Sequence, residues 1–265
     1  MKFGICTSIQ AVAALPLSTV SFDFIEANIQ QLLVPEQPQE DFEALLREVR
    51  ALPVPVETGY SFLPGDFRLV RTASSHMDQA RLERYVRTVL RRSEQVGIRV
   101  ICLGSAGARS CPEGHDHADA LRQVEEYLAT WNCRAREHGI QITLQPMDYA
   151  VTNVVNTLEE GAALISRIRD TGARLQADTF HMTKNHDGPE ELRPVVPLLG
   201  HFHVAEFEGR SAPGVHGEDF RPYFSVLRQG RYDQRIAIEC NWHDFAAEVG
   251  TAIAVLREQW EDSEL

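Results

Sequence analysis

The sequence predicts an α/β chain folded as one closed (β/α)8 barrel over residues 1–265. Three observations predict it. Short β-branched or apolar runs recur eight times, with amphipathic helical stretches between most of them. Several of those stretches close on a glycine just before the next strand, at Gly97, Gly139 and Gly172, where a left-handed helix cap is expected. A length of 265 residues suits eight such units, since a barrel of this kind takes about 250.

The strands are read, in order, at residues 3–8, 22–28, 54–58, 99–103, 141–144, 174–177, 201–205 and 235–239. After the second comes "QEDFEALLREVRAL", which sets Phe42, Leu45, Leu46, Val49 and Leu52 on one helical face. "DQARLERYVRTVLRRSEQVG" follows the third, "ADALRQVEEYLATWNCRAREHG" the fourth and "NTLEEGAALISRIRDTG" the fifth. Helix, glycine, strand, repeated, signals a parallel sheet with crossover helices. The longest irregular stretches follow strands three, four and seven, on the rim where such barrels carry their chemistry. No GxGxxG follows the first strand, which argues against a dinucleotide-binding open sheet. The acidic end, residues 258–265, reads as a frayed tail.

The net charge of −12 and a pI near 5.3 argue against a nucleic-acid partner, which would call for a basic face. Five scattered cysteines without a CxxC fit a reducing cytoplasm. The start "MKFGICTSI" enters a strand pattern directly and lacks the features of a secretory signal. No run approaches the ~20 apolar residues of a membrane span. A cytoplasmic enzyme acting on a small molecule is the expectation.

Strands five to eight close on polar residues, Gln145, Asp178, His203 and Glu239, each about one βα unit of roughly 30 residues from the next. Two carboxylates and an imidazole at successive strand ends make a metal and acid/base constellation. Gln145 can offer a cation an oxygen but carries no proton. His181 lies three residues past Asp178 and could hydrogen-bond a substrate or serve as acid/base. His201 and His203 alternate along one strand, so both face inward. Other rim candidates are Glu57 and Tyr60 after strand three, Arg109 in the fourth loop, where a pair with Glu113 is the alternative, and Trp242 after strand eight. Glu206 is read as ordering Arg210, and Asp116 or its neighbouring histidines as capping a helix start.

Six segments in order carry a resemblance: "FDFIE", "GSAGARSCPEG", "LQPMDYAVTNVVNT", "DTFHM", "HFHVAEFEGRSAPGVHGEDF" and "IEC". Together they resemble the xylose-isomerase-like barrel family of sugar isomerases and epimerases, which contains ketose 3-epimerases and hydroxypyruvate isomerase. The resemblance implies one divalent metal, manganese first, with magnesium or cobalt as alternatives, held by Gln145, Asp178, His203 and Glu239. It implies Glu239 as a catalytic base beside a sugar ketone, an enediolate whose charge the metal neutralises, and His181 and Arg210 at the substrate. It also implies a homodimer or homotetramer.

The departures from the family lie after strand five. The family's "LEP" reads "LQP" here, so a two-base epimerisation through residues 145 and 239 is excluded. A substrate-gripping glutamate is replaced by Val151, and "LNR" by "MDY", which brings Asp148 and puts Tyr149 among the substrate-binding candidates. Three readings of Gln145 stand: an engineered arrest of catalysis, a natural one-carboxylate site, or a sugar-binding protein without turnover. A dehydratase or eliminase acting on a keto-sugar or keto-inositol is the alternative reaction. A modified, glycosylated or oxidised keto-sugar is as well supported as a free ketohexose.

Overall fold

A computed structural model describes residues 1–16, 18, 20–72 and 77–264. Eight parallel strands close a barrel in sequence order: β1 (Lys2–Cys6), β2 (Phe24–Asn28), β3 (Val56–Tyr60), β4 (Val100–Leu103), β5 (Gln141–Leu144), β6 (Arg174–Asp178), β7 (Leu199–Val204) and β8 (Arg235–Ile238). Pairing of Ile5 with Ile238 shuts it. The expected (β/α)8 fold is the fold observed.

The local signals act as the chemistry requires. Gly97, Gly139 and Gly172 adopt φ of 101°, 66° and 90°, left-handed values that a side chain would resist. Asp78, Asp116 and Asp244 cap the Gln79–Val96, His117–Glu137 and Phe245–Asp262 helices through their side chains. Thr157 and Glu160 form a reciprocal capping box on Leu158–Ile168. Phe42 and Leu46 on Gln39–Arg50, and Leu82, Val86, Val89 and Leu90 on Gln79–Val96, are buried in the apolar shell outside the strands.

Expectations about extent are corrected: strand one ends at Cys6, strand two starts at Phe24 and strand seven starts at Leu199, each two residues from the expected bound. Strand three begins and ends two residues later than predicted, running from Val56 to Tyr60. The acidic end is no frayed tail: the last helix runs through Asp262, and Trp260 meets Phe3 and Phe224 edge-on at 6.1 and 5.4 Å. Arg228 ties that end down through the Trp260 carbonyl at 2.9 Å.

Inside the barrel the filling is polar towards the C-terminal end. Glu26, Thr58, Thr143, Gln176, His201 and His203 are all buried completely. Buried polar groups need partners, and these supply one another. Thr58 Oγ1 donates to Glu26 at 2.8 Å and Thr143 Oγ1 to Gln176 at 2.9 Å. This layer is the floor on which the candidate site stands.

Candidate active site

Asp178 is the last residue of β6. Its Oδ1 caps the following turn by accepting from the Phe180 N–H at 2.9 Å, which leaves Oδ2 pointing at the site. Oδ2 accepts from Gln145 Nε2 at 3.0 Å and Arg210 Nη2 at 3.1 Å. Arg210 Nη2 also reaches Glu239 Oε2 at 2.5 Å, so one guanidinium spans both carboxylates. His203 Nδ1 lies 3.1 Å from Glu239 Oε2 and 3.9 Å from Asp178 Oδ2. The four strand-end residues therefore converge.

The donor atoms of Asp178, His203 and Glu239 all lie within 4.8 Å of one another, a spacing that one cation can bridge. Two carboxylate oxygens and an imidazole suit a hard or borderline divalent ion. Gln145 stands beside them, with Oε1 accepting from the Cys102 thiol at 3.3 Å. A side chain at Gly104 would place its Cβ 2.9 Å from that oxygen, so glycine there makes room for residue 145. The Asp178, His203 and Glu239 donors fit a divalent cation, while Gln145 turns its amide nitrogen, not its oxygen, towards them.

Electrostatics divide the cluster. Burial alone would raise Asp178, but Arg210, His181 and His203 hold it below the ordinary aspartate range. Burial would lower His203, yet Glu26, Cys6 and Glu239 hold it well above the usual histidine value. His201, fully buried, is pushed down by desolvation. Glu26 stays anionic despite burial because two imidazoles face it.

His181 is buried, with Nδ1 at 2.8 Å from Asp148 Oδ2. Among the described residues its Nε2 has no hydrogen-bond partner, and it lies 4.0 Å from Asp178 Oδ2. Burial would raise Asp148, but the His181 hydrogen bond and the Ala150 N–H bring it below its ordinary value. Two cavities of about 200 and 160 Å³ open over this group and share Tyr60, Arg210 and Glu239. Cys6 and Asn241 line the first, Gln145, Met147 and His181 the second. Ser61, Ser105 and Arg210, which line these cavities, hold positive φ of 54°, 35° and 51°.

The other candidates fall elsewhere. Glu57 is not on the rim. With strand three shifted, it lies near the opposite end, at 2.7 Å from Lys2 and 2.5 Å from Arg235, the first residues of β1 and β8. Arg109 faces neither substrate space nor Glu113. It is fully buried and donates to the carbonyls of Gly104 (2.9 Å), Gln145 (2.6 Å) and Val155 (3.5 Å). Trp242 lines neither of these two cavities: its indole N–H donates to the Cys6 carbonyl at 3.3 Å and its ring meets Phe245 edge-on. Tyr149 is 63% exposed on the loop after β5 and lines neither cavity. Glu206 does not touch Arg210; it accepts the backbone N–H groups of Gly214, His216, Gly217 and Glu218 and shapes their loop.

Sequence reasoning missed Glu26 and gave Asp148 no role. Glu26 accepts from His201 Nε2 at 2.6 Å and His203 Nε2 at 3.0 Å. Its one signal was a charged residue inside the "FDFIE" strand run.

A parallel barrel with buried carboxylates and imidazoles at its C-terminal strand ends places the chain in the class of (β/α)8 barrels with a rim-centred site. The chain belongs to the xylose isomerase-like TIM barrel family, whose model matches residues 9–259. It is similar to L-ribulose 3-epimerase of Methylomonas sp. (strain DH-1), 27% identical over 179 residues, covering 65% of this chain and 58% of that one. A match in Mus musculus carries hydroxypyruvate isomerase in its name, at 28% over 141 residues, 48% of this chain and 50% of that one. The matched segments thus span little more than half the length of these relatives. Among solved structures, 3-keto-D-glucoside 4-epimerase YcjR from E. coli superposes with a TM-score of 0.77 at 21% identity, over 97% of this chain and 99% of that one. The IOLI protein with a binding zinc atom gives 0.71 at 14%, over 99% and 98%. At those identities the structures establish the fold. The relatives are sugar epimerases and isomerases, and among the described residues no helix is long and apolar enough to cross a membrane.

Proposed function

We propose that this protein is a divalent-metal-dependent enzyme that moves a proton at the carbon beside the ketone of a sugar. The observation that carries the reading is the convergence of Asp178, His203 and Glu239 beneath cavities that Gln145, His181, Arg210 and Tyr60 line. Asp178, His203 and Glu239 would hold the cation, manganese by preference, and the Gln145 oxygen would join them as a fourth donor with its amide turned over. When bound, the ion supplies positive charge to the oxygen that becomes anionic as the neighbouring carbon loses its proton.

Glu239 is the base, since it is the one of these carboxylates that both cavities reach. Gln145 occupies the place of a second carboxylate and cannot return a proton. His181 is the available second carrier. Asp148 fixes its Nδ1 side, Nε2 has no partner among the described residues, and His181 is one of the residues lining the second cavity. Arg210, between the carboxylates, orients an anionic or ketone oxygen. The two cavities leave room for more than a bare triose, and a keto-sugar or a modified keto-sugar fits their polar lining.

Incubation of keto-sugars with the protein and manganese in deuterated water tests the reading. Deuterium at the ketone-adjacent carbon is the expected result. No exchange in the wild type, with none after Gln145→Glu, overturns it. The Gln145 amide favours a second reaction on the same carbon: elimination of water or an aglycone, which needs no proton delivered to the opposite face. A change in product mass identifies that outcome, and restored interconversion in Gln145→Glu alone identifies a site arrested by the amide.

A further inference from the structure

We infer that Glu26 is a positioning residue that fixes which nitrogen of His203 faces the cation, an assignment that rests on the metal-dependent reading above. His203 turns Nδ1 towards Glu239 and Asp178, at 3.1 and 3.9 Å, and Nε2 towards Glu26 Oε1, at 3.0 Å. A neutral imidazole has one N–H and one lone pair, and only the lone pair can ligate. A carboxylate at Nε2 keeps the proton there and leaves the Nδ1 lone pair for the cation. Outer carboxylates commonly orient ligating histidines in this way.

Glu26 is held in that role by its own surroundings. It is fully buried, and its second oxygen accepts from His201 Nε2 at 2.6 Å and Thr58 Oγ1 at 2.8 Å. The register shift between β2 and β3 brings Thr58 opposite Glu26. Gln176 lies against the same ring without choosing between its nitrogens. Its oxygen is occupied by Thr143 at 2.9 Å, which turns its amide nitrogen to His203, at 3.0 Å from Nδ1 and 3.3 Å from Nε2. Cys6 lies in the same group, and the donor atoms of Cys6, Glu26 and His203 fall within 4.8 Å of one another. Glu239 lines both cavities and Glu26 lines neither, which assigns the ion to the Asp178 and Glu239 side of the ring.

The test is calorimetric titration of the chelator-stripped full chain with manganese alone. Glu26→Gln keeps the shape and removes the charge, and its manganese Kd is expected to weaken roughly 10- to 100-fold. Thr58→Val loosens Glu26 without touching His203, and a smaller loss in the same direction is expected. Imidazole nitrogen NMR of the zinc-loaded wild type is expected to show Nδ1 bound and Nε2 protonated, a signature that Glu26→Gln degrades. An unchanged Kd in folded Glu26→Gln overturns the assignment. So does an unchanged Kd in Thr58→Val if Glu26→Gln fails to fold, zinc on Nε2, or an equal loss in Cys6→Ser. A wild type that binds no divalent ion overturns the metal-dependent reading as well, whereas wild-type binding with unaffected variants overturns the Glu26 assignment alone.

Discussion

Gln145→Glu separates coordination from proton transfer, and the structure sets its cost. The side chain is buried, with Nε2 donating to Asp178 Oδ2 at 3.0 Å. A glutamate of the same shape puts an anionic oxygen where that donor stands. Two unit charges at this separation repel by roughly 5.5 kcal/mol at an effective dielectric near 20. Arg210, 3.1 Å from the same Asp178 oxygen, offsets part of this. Proton uptake sets a ceiling, because protonating an ordinary glutamate at about pH 7 costs ~3.7 kcal/mol. The chelator-treated variant is therefore less stable than wild type by about 2–4 kcal/mol near neutral pH. The sign with pH follows from linkage. The new carboxyl has a raised pKa in the fold, so the penalty vanishes below its unfolded value near 4.3 and grows as pH rises above it. Urea unfolding of both proteins across this range, with chelator and then with manganese, measures the effect. Manganese should stabilise the variant more than the wild type. Equal unfolding midpoints at every pH, with no added stabilisation by manganese, would refute the electrostatic account of residue 145.

Three further outcomes are expected. Arg109→Met strands the buried carbonyls of Gly104, Gln145 and Val155; thermal unfolding should show a loss of about 3 kcal/mol or more, without a specific rise in KM for sugar. Trp260→Ala removes the edge-on contacts with Phe3 and Phe224 and should cost ~2 kcal/mol in urea unfolding, against nothing for a frayed tail. Burial pushes the Asp148 carboxyl up, but the His181 hydrogen bond, the Ala150 N–H and the Lys184 charge outweigh it and leave it depressed. Its stabilisation is then complete above an unfolded pKa near 3.9 and is lost as pH falls through the folded value, so Asp148→Asn should flatten the acid limb of the stability profile.

The fold was legible because its signals are local. A strand run and a glycine cap each lie within a few residues, and Gly97, Gly139 and Gly172 take the backbone angles their positions demanded. The convergence of residues 145, 178, 203 and 239 was legible because each ends its own strand. Glu26 was not, since its partners Thr58 and His201 stand 32 and 175 residues away and its strand continues to Asn28. Glu57 shows how small a slip matters: moving strand three by two residues keeps its alternation and carries a rim candidate to the far end of the barrel. Arg109 reads the same in sequence whether it faces a sugar or a set of carbonyls, and only the packing of the fourth and fifth loops distinguishes the two.

The two departures after strand five act on one another. A glutamine at 145 donates to Asp178 and accepts from Cys102, so it is satisfied as an amide and adds no charge beside Arg210. The same loop supplies Asp148, buried against His181 Nδ1, where the family resemblance led one to expect an asparagine. On the proposed reading, a carboxylate there holds the Nδ1 side of the imidazole and leaves Nε2 to carry the proton. On that same reading, the proton carrier given up at position 145 is regained through the Asp148–His181 pair. On this argument the amide and the new aspartate belong to one rearrangement of the proton path, and restoring a glutamate at 145 while Asp148 stays gives the site two competing carriers instead of the relatives' pair.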